Sequence, residues 1–162
     1  MSKSNEIRHF ALETRVGEEF GVSPWLTIDQ LRIDVFAAVT DDIEPLHNDP
    51  KWCEQNSPYG RPIAHGFLTL SLLTKFLHQV TDYAIAGRHD SRGHPINYGF
   101  DRVRFLTPVS VGERIRCRVK LGGLEERDSG TMLRLEVTVE IEGTPDKPAL
   151  IADWLALWVG DD

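Results

Sequence analysis

Two side chains able to exchange a proton with a substrate stand five positions apart, Asp42 and His47, in the run Asp42-Ile43-Glu44-Pro45-Leu46-His47. A carboxylate and an imidazole held together can share general acid and general base work near neutral pH. Spacing alone says little. With six histidines and 25 acids among 162 residues, roughly one acid is expected five places before a histidine by chance. The surroundings say more. The pair lies in a proline-containing loop that precedes a strongly apolar segment, where exclusion of water can tune a polar group. That segment opens with Pro62-Ile63-Ala64-His65-Gly66-Phe67. A glycine in the first turn of a helix leaves a backbone N–H without an intrahelical partner and no side chain to block it. Such an N–H, at the positive helix end, can hold a developing oxyanion. Close packing against a strand is the plainer use of Gly66, and His65 reads as a structural core or cap histidine.

The elements that must position these groups follow from patterning. Thr27 reads as an N-cap for a helix over 28–39, with Ile28, Leu31, Val35 and Phe36 turned inward. Prolines in 41–50 stop it, a helical turn is expected at 50–55, and 56–62 reads as a loop. The stretch 63–80 predicts one long helix, apolar on nearly every side and therefore buried. What wraps it is in the second half. Ile115, Cys117, Val119 and Leu121 alternate with Arg114, Arg116, Arg118 and Lys120, and 133–142 alternates in the same way, the period of a half-buried strand. Strands are also expected at 96–106 and 150–159. Turns at Gly112, Gly122-Gly123, Gly130 and Gly143 make an antiparallel meander the simplest topology. A buried helix enclosed by an antiparallel sheet is an α+β arrangement. Trp154 and Trp158, read as outer apolar positions, point to a homodimer.

Composition bounds the function. One domain over 1–162 is expected, with the first ten residues frayed. A formal charge of −7 argues against general nucleic-acid binding, which needs a basic surface, but leaves room for a small anion on a local arginine cluster. The 63–80 stretch carries Thr69, Ser71, Thr74, Lys75, His78 and Gln79, too polar for a membrane span. The N-terminus lacks the apolar run of a secretory signal. The two cysteines, Cys53 and Cys117, show no metal or redox spacing. Together these predict a cytoplasmic protein.

Asp42 and His47, followed by Pro62-Ile63-Ala64-His65-Gly66-Phe67-Leu68-Thr69-Leu70-Ser71, resemble the MaoC-like, (R)-specific enoyl-CoA hydratase family. Ile96-Asn97-Tyr98-Gly99-Phe100-Asp101-Arg102-Val103-Arg104-Phe105, with Pro108-Val109-Ser110-Val111-Gly112, is similar to its NodN-type branch. The resemblance runs from about Trp25 to the C-terminus. It implies a hot-dog fold, a long central helix wrapped by an antiparallel sheet. It also implies reversible addition of water to a 2-enoyl thioester, carried by CoA or by a carrier protein, with no metal or organic cofactor. By position, Asp42 and His47 would activate the water and the Gly66 N–H would polarise the thioester carbonyl.

Some positions depart from the family or stay open. Many relatives carry Asn where Glu44 stands, which puts substrate positioning in question. Thr74 fills a slot that often lines the site. Asn97 and Tyr98 either line the acyl tunnel or are plain strand residues. Arg102 and Arg104, or Arg88, His89, Arg92 and His94, are cations that could meet CoA phosphates, and neither set is assigned. A hot-dog thioesterase is a second reading, weakened because 63–80 contains no acid. A non-catalytic acyl-thioester-binding subunit is a third, weakened because a binder has no need of the Asp42/His47 pair.

Overall fold

The computed structural model describes residues 16–81 and 94–159. The expected frayed N-terminus, and Arg88, His89 and Arg92, lie outside them. The chain runs β1 (Glu19–Val22), β2 (Leu26–Thr27), α1 (Gln30–Thr40), α2 (Pro45–Asn48), α3 (Pro50–Asn56), α4 (Gly66–Ser71) and α5 (Leu73–Thr81). It then continues through β3 (His94–Phe105), β4 (Arg114–Arg127), β5 (Gly130–Ile141) and β6 (Leu150–Val159). All strands join one antiparallel sheet in the order β1-β4-β5-β6-β3, with β2 also on β4. Only β4-β5-β6 is a meander. β3 crosses over to the far edge beside β6, so the expected simple meander covers half the sheet.

The alternating strands behave as their patterns require. Ile115, Cys117, Val119 and Leu121 of β4 and Leu133, Leu135, Val137 and Val139 of β5 form the buried inner face. Phe76, Leu73, Leu77 and Leu68 of the helical segment close over them. Burial pushes the Cys117 thiol up to about 12, so it acts as a small apolar core residue. On the outer face, Arg116 and Arg118 both bond Glu140, Arg114 pairs with Glu142, and Lys120 with Glu136. These cross-strand pairs let that face stand without a covering layer.

Five details differ from the sequence reading. Thr27 belongs to β2, and the cap of α1 is Asp29, whose carboxylate accepts from Arg32 N at 2.9 Å. The resulting phase buries Ile33 and Ala37 and leaves Leu31, Val35 and Val39 exposed. His47, expected in an irregular loop, stands on the helical turn α2, with Pro45 at its first position. The central helix starts at Gly66 rather than residue 63, and Leu72 separates its two segments. There the Ser71 hydroxyl donates back to Leu68 O at 2.8 Å, competing with the backbone ladder. Phe67 is 67% exposed, so that helix is not buried on every side. Gly122-Gly123 is a bulge inside β4, because pairing with β5 continues to Arg127. Trp154 and Trp158 sit in the core. They share the parity of Leu150 and Ala152, the inward set of β6, so they offer no outer surface.

Glu140 is about one-fifth exposed. Burial pushes its carboxyl up, and hydrogen bonds and charge from Arg116 and Arg118 more than reverse this, leaving it below the ordinary carboxylate range. A carboxylate held low in the folded state stabilises fully above its unfolded value and loses that contribution as pH falls through the folded one. Glu140→Gln should therefore cost roughly 1–2 kcal/mol at pH 7. Urea titrations should show the gap from wild type closing at acid pH. A gap independent of pH contradicts this.

Candidate active site

The segment around Ile63 decides where the site forms. It is extended, because Ile63 bridges Ser110, Ala64 N donates to Val109 O at 2.7 Å, and Val111 N donates to Pro62 O at 2.9 Å. Its other side holds α2: Ile63 N donates to Leu46 O at 3.2 Å, and His47 Nδ1 lies 2.7 Å from Ile63 O. A carbonyl only accepts, so Nδ1 carries the proton and Nε2 is left as the basic nitrogen. From the opposite side, Gln30 Nε2 donates to His47 O at 2.9 Å, and Asn48 Nδ2 to Asp34 Oδ1 at 2.8 Å. His47 is held between α1 and the extended segment.

Asp42 arrives by a different route. Helix α1 ends at Asp41, which takes a left-handed conformation at φ 58°, one that Asp tolerates better than most residues. The chain then turns so that Asp42 O meets His65 Nε2 at 2.9 Å, with the Asp42 carboxylate 3.9 Å from the same nitrogen. His65 is 2% exposed. Its ring stacks on His47 at 3.8 Å between centroids and 28° between planes, and it meets Phe36 at 5.1 Å. Sequence reading treated His65 as structural. Its contact with both members of the pair is a tertiary fact that spacing does not carry.

Donor atoms of Asp42, His47 and His65 lie within 4.8 Å of one another, close enough to consider a metal ion. Their proton bookkeeping fits one poorly. His65 Nε2 carries a proton because it donates to Asp42 O, and its other nitrogen, Nδ1, is buried without a partner. A shared ion would have to break that bond. The triad suits proton handling better than coordination.

His47 and Gly66 open onto one cleft of about 370 Å³, whose wall also includes Tyr59, Thr69, Phe105 and Leu106. As first residue of α4, Gly66 has an N–H without an intrahelical acceptor. Asp42 is not among the residues lining the cleft, though its carboxylate lies within 4.8 Å of donor atoms of His47 and His65. The other expected site residues are not among those lining it. Glu44 is exposed at the N-cap of α2, and its main-chain O accepts from His47 N. Thr74 is half-buried on α5. Asn97 and Tyr98 are exposed on β3, with Arg127 over the Tyr98 ring. Arg102 is paired with Asp153, and Arg104 bonds its neighbour's carbonyl.

A Cβ on Gly66 would stand 3.0 Å from Phe105 Cδ1 and 3.1 Å from Cε1. Phe105 is 48% exposed and can yield part of the way, so overpacking here falls near the low end of about 1–3 kcal/mol, and at the first helical position Ala recovers little of its helix-interior advantage. Gly66→Ala should therefore lose about 1 kcal/mol in urea unfolding. Phe105→Leu in the same chain should return most of it. A variant as stable as wild type with Phe105 intact contradicts this contact.

Comparison with known proteins agrees with the geometry. A family profile described as MaoC like domain matches residues 11–143. Nodulation protein N of Rhizobium meliloti (strain 1021) is 43% identical over 154 residues, covering 94% of this chain and 92% of that protein. The 3-hydroxyacyl-thioester dehydratase Z of Mycobacterium tuberculosis is 40% identical over 149 residues, covering 91% and 93%. Among solved structures, the (R)-hydratase of A. caviae superposes with a TM-score of 0.70 at 24% identity, covering 91% of this chain and 98% of that one. That superposition shows the shared hot-dog fold. Both the fold and the resemblance expected from the Asp42, His47 and Gly66 motifs stand, and the chain is a member of the MaoC-like hydratase and dehydratase family.

Proposed function

We propose that this protein adds water reversibly across the double bond of a trans-2-enoyl thioester, working as an (R)-specific 2-enoyl-CoA hydratase and 3-hydroxyacyl-thioester dehydratase. The observation that carries the reading is that His47 and Gly66, the first residue of α4, line one cleft, with the Asp42 carboxylate within 4.8 Å of donor atoms of His47 and His65. In this reading Nε2 of His47 takes a proton from water, Asp42 orients the same water, and its oxygen bonds to C3. The C2–C3 π electrons move onto the thioester oxygen, which the Gly66 N–H holds as an enolate. Collapse of the enolate takes a proton at C2, delivered through the same pair. Conjugation makes this feasible, since charge rests on oxygen rather than carbon. One base and one oxyanion donor each supply about two to four orders of magnitude. The name of the 3-hydroxyacyl-thioester dehydratase relative and the cleft's apolar wall, with Phe105, Leu106, Val109 and Ala149, support an acyl thioester on CoA or a carrier protein as substrate.

A homodimer belongs to the same proposal. Leu31, Val35 and Val39 form an exposed apolar row on α1, Ile43 beyond its end is exposed too, and β3 pairs with β6 on one side alone among the described strands. Such surfaces and edges are usually covered. Asn97 and Tyr98 on β3 would then reach substrate from a neighbouring copy. Glu44, standing where many relatives carry Asn, would make substrate positioning differ in this member, and Thr74 fills the slot that often lines the site in relatives. Two buried free thiols suit a reducing cytoplasm. No helix among the described residues is long and apolar enough to cross a membrane.

Loss of enoyl absorbance with crotonyl-CoA and longer 2-enoyl-CoAs tests the reading. Wild type should hydrate them, and Asp42→Asn and His47→Asn should each lower kcat by about 100- to 10,000-fold. Release of free thiol by wild type would point instead to a thioesterase. Binding of acyl-CoA with neither reaction would point to an accessory subunit.

A further inference from the structure

His65 is the buried titratable group that the mechanism above leaves without a task. Resting on that reading, we propose that His65 is a positioning residue, which holds Asp42 and His47 in one arrangement through a single fixed tautomer.

The His65 ring gives up one hydrogen bond. Its side chain is 2% exposed, and Nδ1 is buried with no hydrogen-bond partner. Leaving a polar nitrogen unsatisfied in the interior is costly, and an apolar ring of similar shape would remove that cost. A helix cap does not need an imidazole here, because His65 makes no side-chain cap bond to α4. Core filling does not need one either, since Phe36 and the face of His47 are its ring contacts. What an imidazole supplies, in a smaller ring than indole or phenol, is a flat face and an edge donor together. The face lies on His47 at 3.8 Å, and the edge donates from Nε2 to Asp42 O at 2.9 Å. That bond ties residue 42 to residue 65 just after the left-handed turn at Asp41, where nothing else among the described contacts anchors the Asp42 main chain. A cost kept in the core beside reacting groups is what function, rather than packing, retains.

Two variants separate the face from the edge. Phe keeps a ring against His47 and loses the donor. Gln places an amide N–H near the position of Nε2 and loses the ring. For His65→Phe we expect thermal stability equal to or above wild type, with kcat for 2-enoyl-CoA hydration lowered about 10- to 100-fold and KM within about twofold. His65→Gln should recover part of the lost kcat while melting below wild type. Nitrogen-15 NMR of wild type needs no variant and should show His65 protonated at Nε2, with Nδ1 bare. The proposal is overturned if His65→Phe keeps wild-type kcat, if its kcat and stability fall together, or if the NMR finds Nε2 bare. Absence of hydratase activity in wild type removes the functional reading instead, and the tautomer measurement still judges the arrangement of His65.

Discussion

Three residues of extended backbone, Pro62 to Ala64, carry more of this structure than any helix or strand. Their amide and carbonyl groups are shared between two partners. Ala64 N and Pro62 O pair with the 109–111 segment, while Ile63 N and Ile63 O face α2. The carbonyl of Ile63 thus joins the sheet side of the fold to the ring of His47. With the backbone groups of 62–64 committed sideways, the helix begins at Gly66, and His65 is its N-cap. That delay puts an unpartnered N–H next to the cleft and places His65, the last residue before the helix, under the pair. Buried backbone must find partners. Here the search for partners builds the site.

The rest of the fold serves to hold this segment still. The inner faces of β4, β5 and β6 bury the central helix, so its first turn has little freedom. Outside, Glu140 between Arg116 and Arg118 keeps β4 and β5 in register without a covering layer. Next to the site, Gln30 and Asp34 of α1 fasten the turn that carries His47. Stability is concentrated in the sheet, and the polar contacts near the cleft are few and specific. Such a division is expected where side chains must hold a reactive geometry.

Period-2 alternation made β4 and β5 readable, because one wet and one dry face leave an unambiguous mark. Helix phase was harder. In α1, Leu31 and Val35 lie one way and Ile33 and Ala37 the other, and which side meets the core is decided by tertiary packing that the helix's own pattern does not mark. The Gly122-Gly123 pair reads as a turn locally and is a bulge because of its partner strand. Asp42, His47 and Gly66 stood out as candidates through their context and the resemblance. His65 and Phe105 were not, since their roles rest on a stacked ring and a 3.0 Å approach that only tertiary structure creates.

The central claim is that Asp42, His47 and the Gly66 N–H direct water to C3 and its proton to C2. Isotope tracing reads both events at once. After incubation with a 2-enoyl-CoA in deuterium oxide enriched in oxygen-18, mass spectrometry should find the heavy oxygen in the C3 hydroxyl. A deuterium should sit at C2, and the thioester should be intact. Heavy oxygen in a free carboxylate, with CoA released, would contradict the account, because water would then have attacked the carbonyl.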